Sequence, residues 1–247
     1  MLMLISPSKT LDFSDNLPNN LKGSNPFFAK EASQLVQVLE KYSSQDISEL
    51  MSLSDKLGQL NYQRFQNFAS QPQKPALYAY KGDVYEGFEL NTYKQEDIAF
   101  ANQHLRIISG LYGVLKPLDL IKPYRLEMSI NLPNNKGKNL YLFWENKITN
   151  KLNEEQDDLV INLASQEYFS AINPKILNKK IINITFKEKH KDGYKIIGIH
   201  AKKARGIMAN YIILNPINKA SQIKDFNLNG YIFSSQLSSE NEYVFIR

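Results

Sequence analysis

The amino-acid sequence predicts a mixed α+β fold: a single domain over residues 1–247 in which helices surround a mixed sheet. Three observations predict it. Short apolar runs at residues 1–5 and 158–164 are typical of buried strands, whereas longer segments repeat apolar residues at helical spacing. The turn Asp192-Gly193 lies between two further strand patterns and indicates an antiparallel pair. No internal repeat, low-complexity tract or change in composition divides the chain.

The predicted helices are the segments with apolar residues three and four positions apart. The clearest begins at Phe28 and runs to Tyr42, and Ser54 is placed to cap another. A short helix should also follow Ser165. The other predicted helices cover residues 46–51, 54–68, 96–105, 140–152, 204–212 and 221–226.

The predicted strands are shorter and are bounded by proline, glycine or charged residues. Besides the two apolar runs, they cover residues 76–80, 181–186 and 194–200, with a closing hairpin at 230–245. Polar segments rich in asparagine, at residues 16–25 and 131–138, are predicted loops.

Composition limits the classes of protein to which the chain can belong. Hydrophobic residues make up 43% and charged residues 22%, which is typical of a globular protein with a sizeable core. The formal charge of +5 and the pI near 9.1 allow an anionic partner without requiring one. The absence of cysteine excludes disulfides and thiolate metal centres.

Location follows from what the sequence lacks. No apolar run approaches the ~20 residues of a membrane span, and the first residues lack the basic region of a signal peptide. We therefore expect a cytoplasmic protein without membrane contact, and we expect a monomer.

Residues 104–128 carry more conformational constraints than any other stretch. Gly110 and Gly113 bracket two residues after an apolar run, and two Lys-Pro pairs, at Lys116 and Lys122, break the elements that follow. The pattern predicts two short apolar elements joined by a glycine turn. Two interpretations remain open: a structural crossover with solvated cations, or a turn whose amides approach a phosphate.

The strongest basic cluster, residues 202–206 (KKARG), is predicted to open a helix. Three cations where a helix presents unpaired amides would suit a phosphate, although a solvated charge run is the simpler interpretation. The polar loop after the first strand contains Lys9 and Asp12, and Lys81 and Asp83 flank a glycine. These groups either contact a ligand or stabilise turns.

Other chemistries find no support in the sequence. The three histidines, His104, His190 and His200, have no partner at metal-ligand spacing. Phosphate-loop, dinucleotide-binding and nucleophile-elbow signatures are absent. We therefore predict no metal site and no cofactor, and we identify no nucleophile–base pair.

Six blocks along the chain resemble the YaaA peroxide-stress family, in the family's order. They are ISPSKTLDF at 5–13, ISELMSLSDKL at 47–57, YKGDVYEGF at 80–88, SGLYGVLKPLDLIKPYRLEM at 109–128, VINLASQEYF at 160–169 and AKKARGIMANYII at 201–213. The resemblance implies a bacterial cytoplasmic protein that limits damage by hydrogen peroxide. It also implies lower unincorporated iron, binding of duplex DNA and a helix-hairpin-helix-like element.

Two functions follow from the resemblance and the cations together. The first is duplex-DNA binding largely without sequence preference, through phosphate contacts. The predicted phosphate-binding residues are Lys9, Lys81, Arg106, Gly110, Gly113, Lys116, Lys122, Arg125, Lys202, Lys203 and Arg205.

The alternative function is that of an enzyme acting on a phosphorylated or carboxylated small molecule. Some of the same cations would hold the anion, and Asp12, Asp83 or Glu167 would move protons. An open basic face would favour DNA, whereas convergence of Lys9, Lys81 and Arg205 in a deep pocket would favour the small molecule.

Overall fold

A mixed β-sheet lies at the centre of the structure, a computed structural model that describes residues 1–14, 17–18 and 21–247. The strands within these residues are β1 (Leu2–Ile5), β2 (Thr10–Leu11), β3 (Lys74–Pro75), β4 (Tyr80–Lys81), β5 (Leu105–Ser109), β6 (Gly113–Leu115), β7 (Leu120–Ile121), β8 (Leu159–Asn162), β9 (Lys180–His190), β10 (Gly193–Lys195), β11 (Ile232–Phe233) and β12 (Glu242–Ile246). Part of the predicted loop at 16–25 lies outside the described residues.

The main sheet is parallel at its centre and antiparallel at its edges. Its order is β11-β12-β9-β8-β1-β5-β6, with β10 paired to β9. Strand β1 runs parallel to β5 and β8, and β9 runs parallel to β8 and β12. The pairs β5–β6, β9–β10 and β11–β12 are antiparallel. The prediction of a mixed α+β fold is therefore confirmed, as are the predicted strands at 1–5 and 158–164.

Helices cover the sheet. Their bounds are α1 (Ala29–Leu39), α2 (Ser44–Met51), α3 (Asp55–Gln66), α4 (Ala76–Ala79), α5 (Gln95–His104), α6 (Leu140–Trp144), α7 (Lys147–Asn153), α8 (Gln166–Phe169), α9 (Gly198–Leu214) and α10 (Ala220–Ile223). Most lie where apolar spacing predicts them, because that spacing directly gives the face each helix buries. In the described part of the chain, no helix is long and apolar enough to cross a membrane.

Three predicted elements differ from the structure. Residues 76–79 form a buried helical turn instead of a strand, because Tyr80 N–H donates to Ala76 O within the turn. The N–H groups of Ala76 and Leu77, which a helix start leaves free, donate to Asp119 O and Pro117 O. The predicted helix at 140–152 is two helices, divided where Glu145 adopts a left-handed φ of 43°. The predicted strand at 194–200 ends at Lys195, and α9 begins at Gly198.

The earlier start of α9 corrects the interpretation of the basic cluster. Lys202 and Arg205 lie within the helix and not at its start, where unpaired amides would be found. The cluster therefore contributes side chains only. Its position is fixed by close packing, since a Cβ on Gly206 would overlap the carbonyl of Val84. This contact holds one face of α9 against the loop around residue 84.

The glycine turn of the central stretch joins β5 to β6 and is buried. Trp144 is fully buried and donates its indole N–H to Gly110 O at 2.9 Å. Gly113 has a φ of +68°, and a Cβ there would lie 2.7 Å from the Trp144 ring. Because this turn packs against the core, we withdraw Gly110 and Gly113 from the phosphate contacts and adopt the structural interpretation.

Candidate functional site

A cavity of about 310 Å³ opens at the carboxyl ends of the parallel strands β1 and β8. In open parallel sheets this edge is where ligands bind, because the loops that leave the strands converge there. The cavity is lined by Ser6, Pro7, Ser8, Lys9, Thr10, Gly82, Asp83, Val84, Leu163, Ser165, Glu167, Tyr168, Lys202 and Arg205.

Hydrogen bonds between the two strand ends fix the floor of this pocket. Ser165 N–H donates to Ser6 Oγ at 2.8 Å, and Ser6 Oγ donates to Ser165 Oγ at 3.3 Å. Tyr85 OH donates to Ser6 O at 3.1 Å. The loops after β1 and β8 are thereby held together, which gives the cavity a rigid base.

Arg205 is the least compensated cation in the site. It makes no hydrogen bond or ion pair with any of the described residues, and its Nε atom is buried. Burial lowers the pKa of the Arg205 guanidinium, although arginine stays protonated in proteins. Lys202 lies three residues earlier on α9, so both side chains project from the same face of the helix towards the cavity.

Lys9 reaches the cavity from the loop after β1 and is held by a carboxylate. Its Nζ lies 3.0 Å from Glu127 Oε1, the same oxygen that accepts from Arg125 Nη2 at 3.2 Å. The other oxygen of Glu127 is buried and has no partner among the described residues. A small cleft beside the cavity contains Lys9, Arg125 and Glu127. Arg125 therefore adjoins the site, and Glu127 positions Lys9.

Two acidic side chains also line the cavity. The Asp83 side chain makes no hydrogen bond or ion pair in the described part of the molecule. Glu167 uses one oxygen to accept from Ser129 N–H at 3.2 Å and from Ser129 Oγ at 2.8 Å. The pocket therefore combines unneutralised cations with carboxylates that still have free lone pairs.

The pair Lys81 and Asp12 does not line this cavity. Lys81 Nζ lies 3.7 Å from Asp12 Oδ2, and Asp12 accepts from the Ser14 N–H and hydroxyl. These bonds to Ser14 are the main reason that the pKa of Asp12 is lowered. The expected convergence thus holds for Lys9 and Arg205 but not for Lys81.

The remaining predicted contacts lie elsewhere. Arg106 is buried and donates from Nε and Nη2 to both oxygens of Glu155, at 2.7 and 2.8 Å, so we withdraw it from the phosphate contacts. Lys122 Nζ donates to two backbone carbonyls, at 2.8 and 2.7 Å, and has a structural role. Lys203 pairs with Glu86 at 3.2 Å. Lys116 is exposed and lines a different cavity.

Sequence reasoning missed two features. Glu127 follows Arg125 closely, but nothing in that spacing indicates that it pairs with Lys9, far away in the chain. The second feature is the β9–β10 hairpin, whose lysines Lys187, Lys189, Lys191 and Lys195 fall within nine residues. That density of cations around Asp192-Gly193 was a signal available in the sequence.

The implied helix-hairpin-helix-like element stays a prediction. Helices α2 and α3 are joined by a short turn at residues 52–54. Residues 44–66 contain three acidic side chains, Asp46, Glu49 and Asp55, and two basic ones, Lys56 and Arg64. This acidic excess of one gives the helix pair no electrostatic attraction for phosphate.

Within the described residues, no group of three or more His, Cys, Asp or Glu side chains is placed to hold a metal ion.

Comparison with known proteins gives the family. The family model described as "Peroxide stress protein YaaA" matches residues 1–237. A UPF0246 protein of Acaryochloris marina is 51% identical over 253 residues, which cover 100% of both chains. A UPF0246 protein of Saccharophagus degradans is 47% identical over 256 residues, covering 100% of this chain and 99% of the relative. The chain therefore belongs to the YaaA family of peroxide stress proteins, and its role lies in the response to oxidative stress.

Proposed function

We propose that the chain acts in peroxide stress by binding an anionic small molecule in the pocket at the carboxyl ends of β1 and β8. The observation that carries the proposal is Arg205, a largely buried cation without a partner in the described part of the chain. Removing a charge from water costs free energy unless an opposite charge or hydrogen bonds compensate it. An anionic ligand would supply both.

The rest of the pocket fits the same ligand. Lys202 and Lys9 add two cations, and Ser6 and Ser165 line the same cavity. A small-molecule site is a concave pocket with a few converging polar groups, which describes this one. Asp83 and Glu167 would supply the groups for proton transfer if the bound anion also reacts.

Thermal unfolding with and without inorganic phosphate tests the proposal. Phosphate at ten times its Kd should stabilise the native state by about 1.4 kcal/mol. For a chain of this size that raises Tm by about 3–6 °C. Arg205→Gln should abolish the increase, whereas Lys203→Gln, on the same helix but outside the cavity lining, should retain it. Equal shifts in sodium chloride of matched ionic strength would refute a specific anion site.

Duplex-DNA binding is the second candidate, and the β9–β10 hairpin favours it. From Lys189 to Lys195 the hairpin is exposed, and four lysines lie at or near its tip. Tyr194 pairs across the strands with Lys189 and is 43% exposed, so one face presents a ring beside an ammonium group. Such a surface would contact phosphates without reading sequence.

Fluorescence anisotropy with a labelled duplex separates this candidate from the pocket. Replacing Lys187, Lys189, Lys191 and Lys195 with Gln should weaken binding and reduce the slope of log K against log salt. The matched control replaces four exposed lysines elsewhere, Lys30, Lys41, Lys56 and Lys94. Equal losses in the two variants would show attraction by net charge alone, and the hairpin would lose its role.

The biological role requires an experiment in cells. We propose that the protein is cytoplasmic and limits iron-dependent damage, as the resemblance to its family implies. Cells carrying Arg205→Gln, the hairpin variant or Lys203→Gln should be compared for survival in hydrogen peroxide and for unincorporated iron. The pocket proposal expects Arg205→Gln to behave as a deletion. If only the hairpin variant is sensitive, the DNA candidate takes its place.

A further inference from the structure

We infer that the ligand of this pocket is a phosphate monoester of a polyhydroxylated small molecule, such as a sugar phosphate. The inference rests on the proposed anion site and assigns the chemical groups that its ligand carries. Two cations, Arg205 and Lys202, and two acidic side chains, Asp83 and Glu167, line the same cavity.

The cations of the cavity suit a phosphoryl group better than a carboxylate. Arginine presents a planar fork of donors, and lysine adds an ammonium with three more. Lys9 lines the same cavity, as do the hydroxyls of Ser6, Ser8 and Ser165. A phosphate offers three strong acceptor oxygens and nearly two negative charges, whereas a carboxylate has two oxygens and one charge. The number of donors therefore matches phosphate.

The acidic side chains limit what the rest of the ligand can be. Asp83 has no side-chain partner among the residues described, and Glu167 has one oxygen left after bonding Ser129. A second anion near them would be repelled, and an apolar group would leave buried lone pairs unsatisfied. Hydroxyl groups donate to carboxylates without repulsion, so a polyol satisfies Asp83 and Glu167.

The size of the cavity limits the ligand. About 310 Å³ lies at the lower end of the range for small-molecule sites. That volume suits a single phosphorylated sugar and is small for a dinucleotide. Pro7, Leu163 and Tyr168 also line the cavity and would contact the apolar faces of a sugar ring.

Isothermal titration calorimetry with four probes tests the inference: inorganic phosphate, glucose 6-phosphate, glucose and glucuronate. Glucuronate carries a carboxylate where glucose 6-phosphate carries its phosphate ester. We expect glucose 6-phosphate to bind about tenfold or more tighter than inorganic phosphate and at least tenfold tighter than glucuronate. Glucose should bind weakest, because it leaves Arg205 uncompensated.

Variants test the carboxylates and the cations separately. Asp83→Asn should weaken glucose 6-phosphate several-fold and leave inorganic phosphate equal or tighter, since a nearby negative charge is removed. Arg205→Lys should weaken both phosphates, because a point charge replaces the fork. Lys203→Gln should change neither, and circular dichroism establishes that each variant is folded.

The outcomes separate the inference from the proposed function. If glucuronate binds as tightly as glucose 6-phosphate, the phosphoryl assignment is wrong while an anion site survives. If glucose 6-phosphate binds no tighter than inorganic phosphate and Asp83→Asn changes neither, the polyol assignment is wrong. If none of the anions binds, the proposed function itself fails.

Discussion

Arg205 and Arg106 are arginines in opposite electrostatic situations, so replacing each with methionine should change stability in opposite directions. Arg106 is 3% exposed and makes a bidentate pair with Glu155. Its Nη1 also donates to the carbonyls of Asn102 and Leu105, at 3.0 and 2.7 Å. Arg205 has no partner of either kind in the described structure.

The magnitudes follow from these contacts. Arg106→Met leaves Glu155 unpaired, with its side chain only 19% exposed, and breaking such a pair costs about 3–5 kcal/mol. At about 2–4 °C per kcal/mol, Tm should fall by roughly 6–20 °C. Arg205→Met keeps a long helix-forming side chain and removes a desolvated charge. We expect the free energy of unfolding to rise by about 1 kcal/mol, which corresponds to a rise in Tm of about 2–4 °C.

The assay is urea unfolding and calorimetry on protein dialysed free of phosphate, at one ionic strength. Lys203→Met serves as the control, because its pair with Glu86 is about half exposed and should contribute less than 1 kcal/mol. A loss of 1 kcal/mol or more in Arg205→Met would show that Arg205 has a structural function. Arg205 would then not be an uncompensated cation, and the pocket proposal would be wrong.

Two further predictions concern the core. Gly113→Val should lower stability by about 1–3 kcal/mol, because its φ is +68° and the Trp144 ring leaves no room, yet phosphate affinity measured on the folded fraction should be unchanged. Burial raises the pKa of Tyr124 to about 12, whereas an unfolded tyrosine ionises near pH 10. Between pH 10 and pH 12 the unfolded state therefore binds fewer protons than the folded state. The stabilisation from Tyr124 is complete below pH 10, and the free energy of unfolding falls by up to about 1.4 kcal/mol per pH unit as the pH rises towards 12. The midpoint of urea unfolding, measured at pH 9, 10 and 11, should fall as the pH rises, and a constant midpoint would contradict this prediction.

Helices and buried strands could be predicted where a local pattern determines the structure. The apolar spacing after Phe28 belongs to one segment, and the run at residues 2–5 is apolar throughout. Ser54 is the N-cap residue of α3, as predicted, but its side chain makes no capping hydrogen bond. Residues 76–79 could not be assigned in this way. A short apolar run that is buried on every side has the same pattern in a strand as in a helix. The hydrogen bonds of residues 76–79 to Pro117 and Asp119 connect positions far apart in the chain, so the local sequence does not indicate them.

The site was harder to predict than the fold because it depends on which charges find partners. Arg106, Lys122 and Arg205 look equivalent in the sequence. Arg106 pairs with Glu155 across 49 residues, Lys122 bonds carbonyls more than 50 residues away, and Arg205 finds no partner in the described chain. Spacing along the chain carries no information about these contacts. The loop with Lys9 was identifiable because it follows a buried strand.

The pattern of unsatisfied groups is the strongest reason to locate function at this cavity. Only three buried side-chain atoms in the described part of the molecule lack a hydrogen-bond partner: Tyr78 OH, Glu127 Oε2 and Arg205 Nε. Two of them lie in the cavity or in the cleft beside it. Elsewhere, buried ions such as Arg106 are paired. Natural proteins satisfy nearly all such groups, so incomplete satisfaction at one place supports the proposal that stability has been given up there for binding. The increase in stability expected for Arg205→Met is a direct measure of the stability that the unpaired arginine costs.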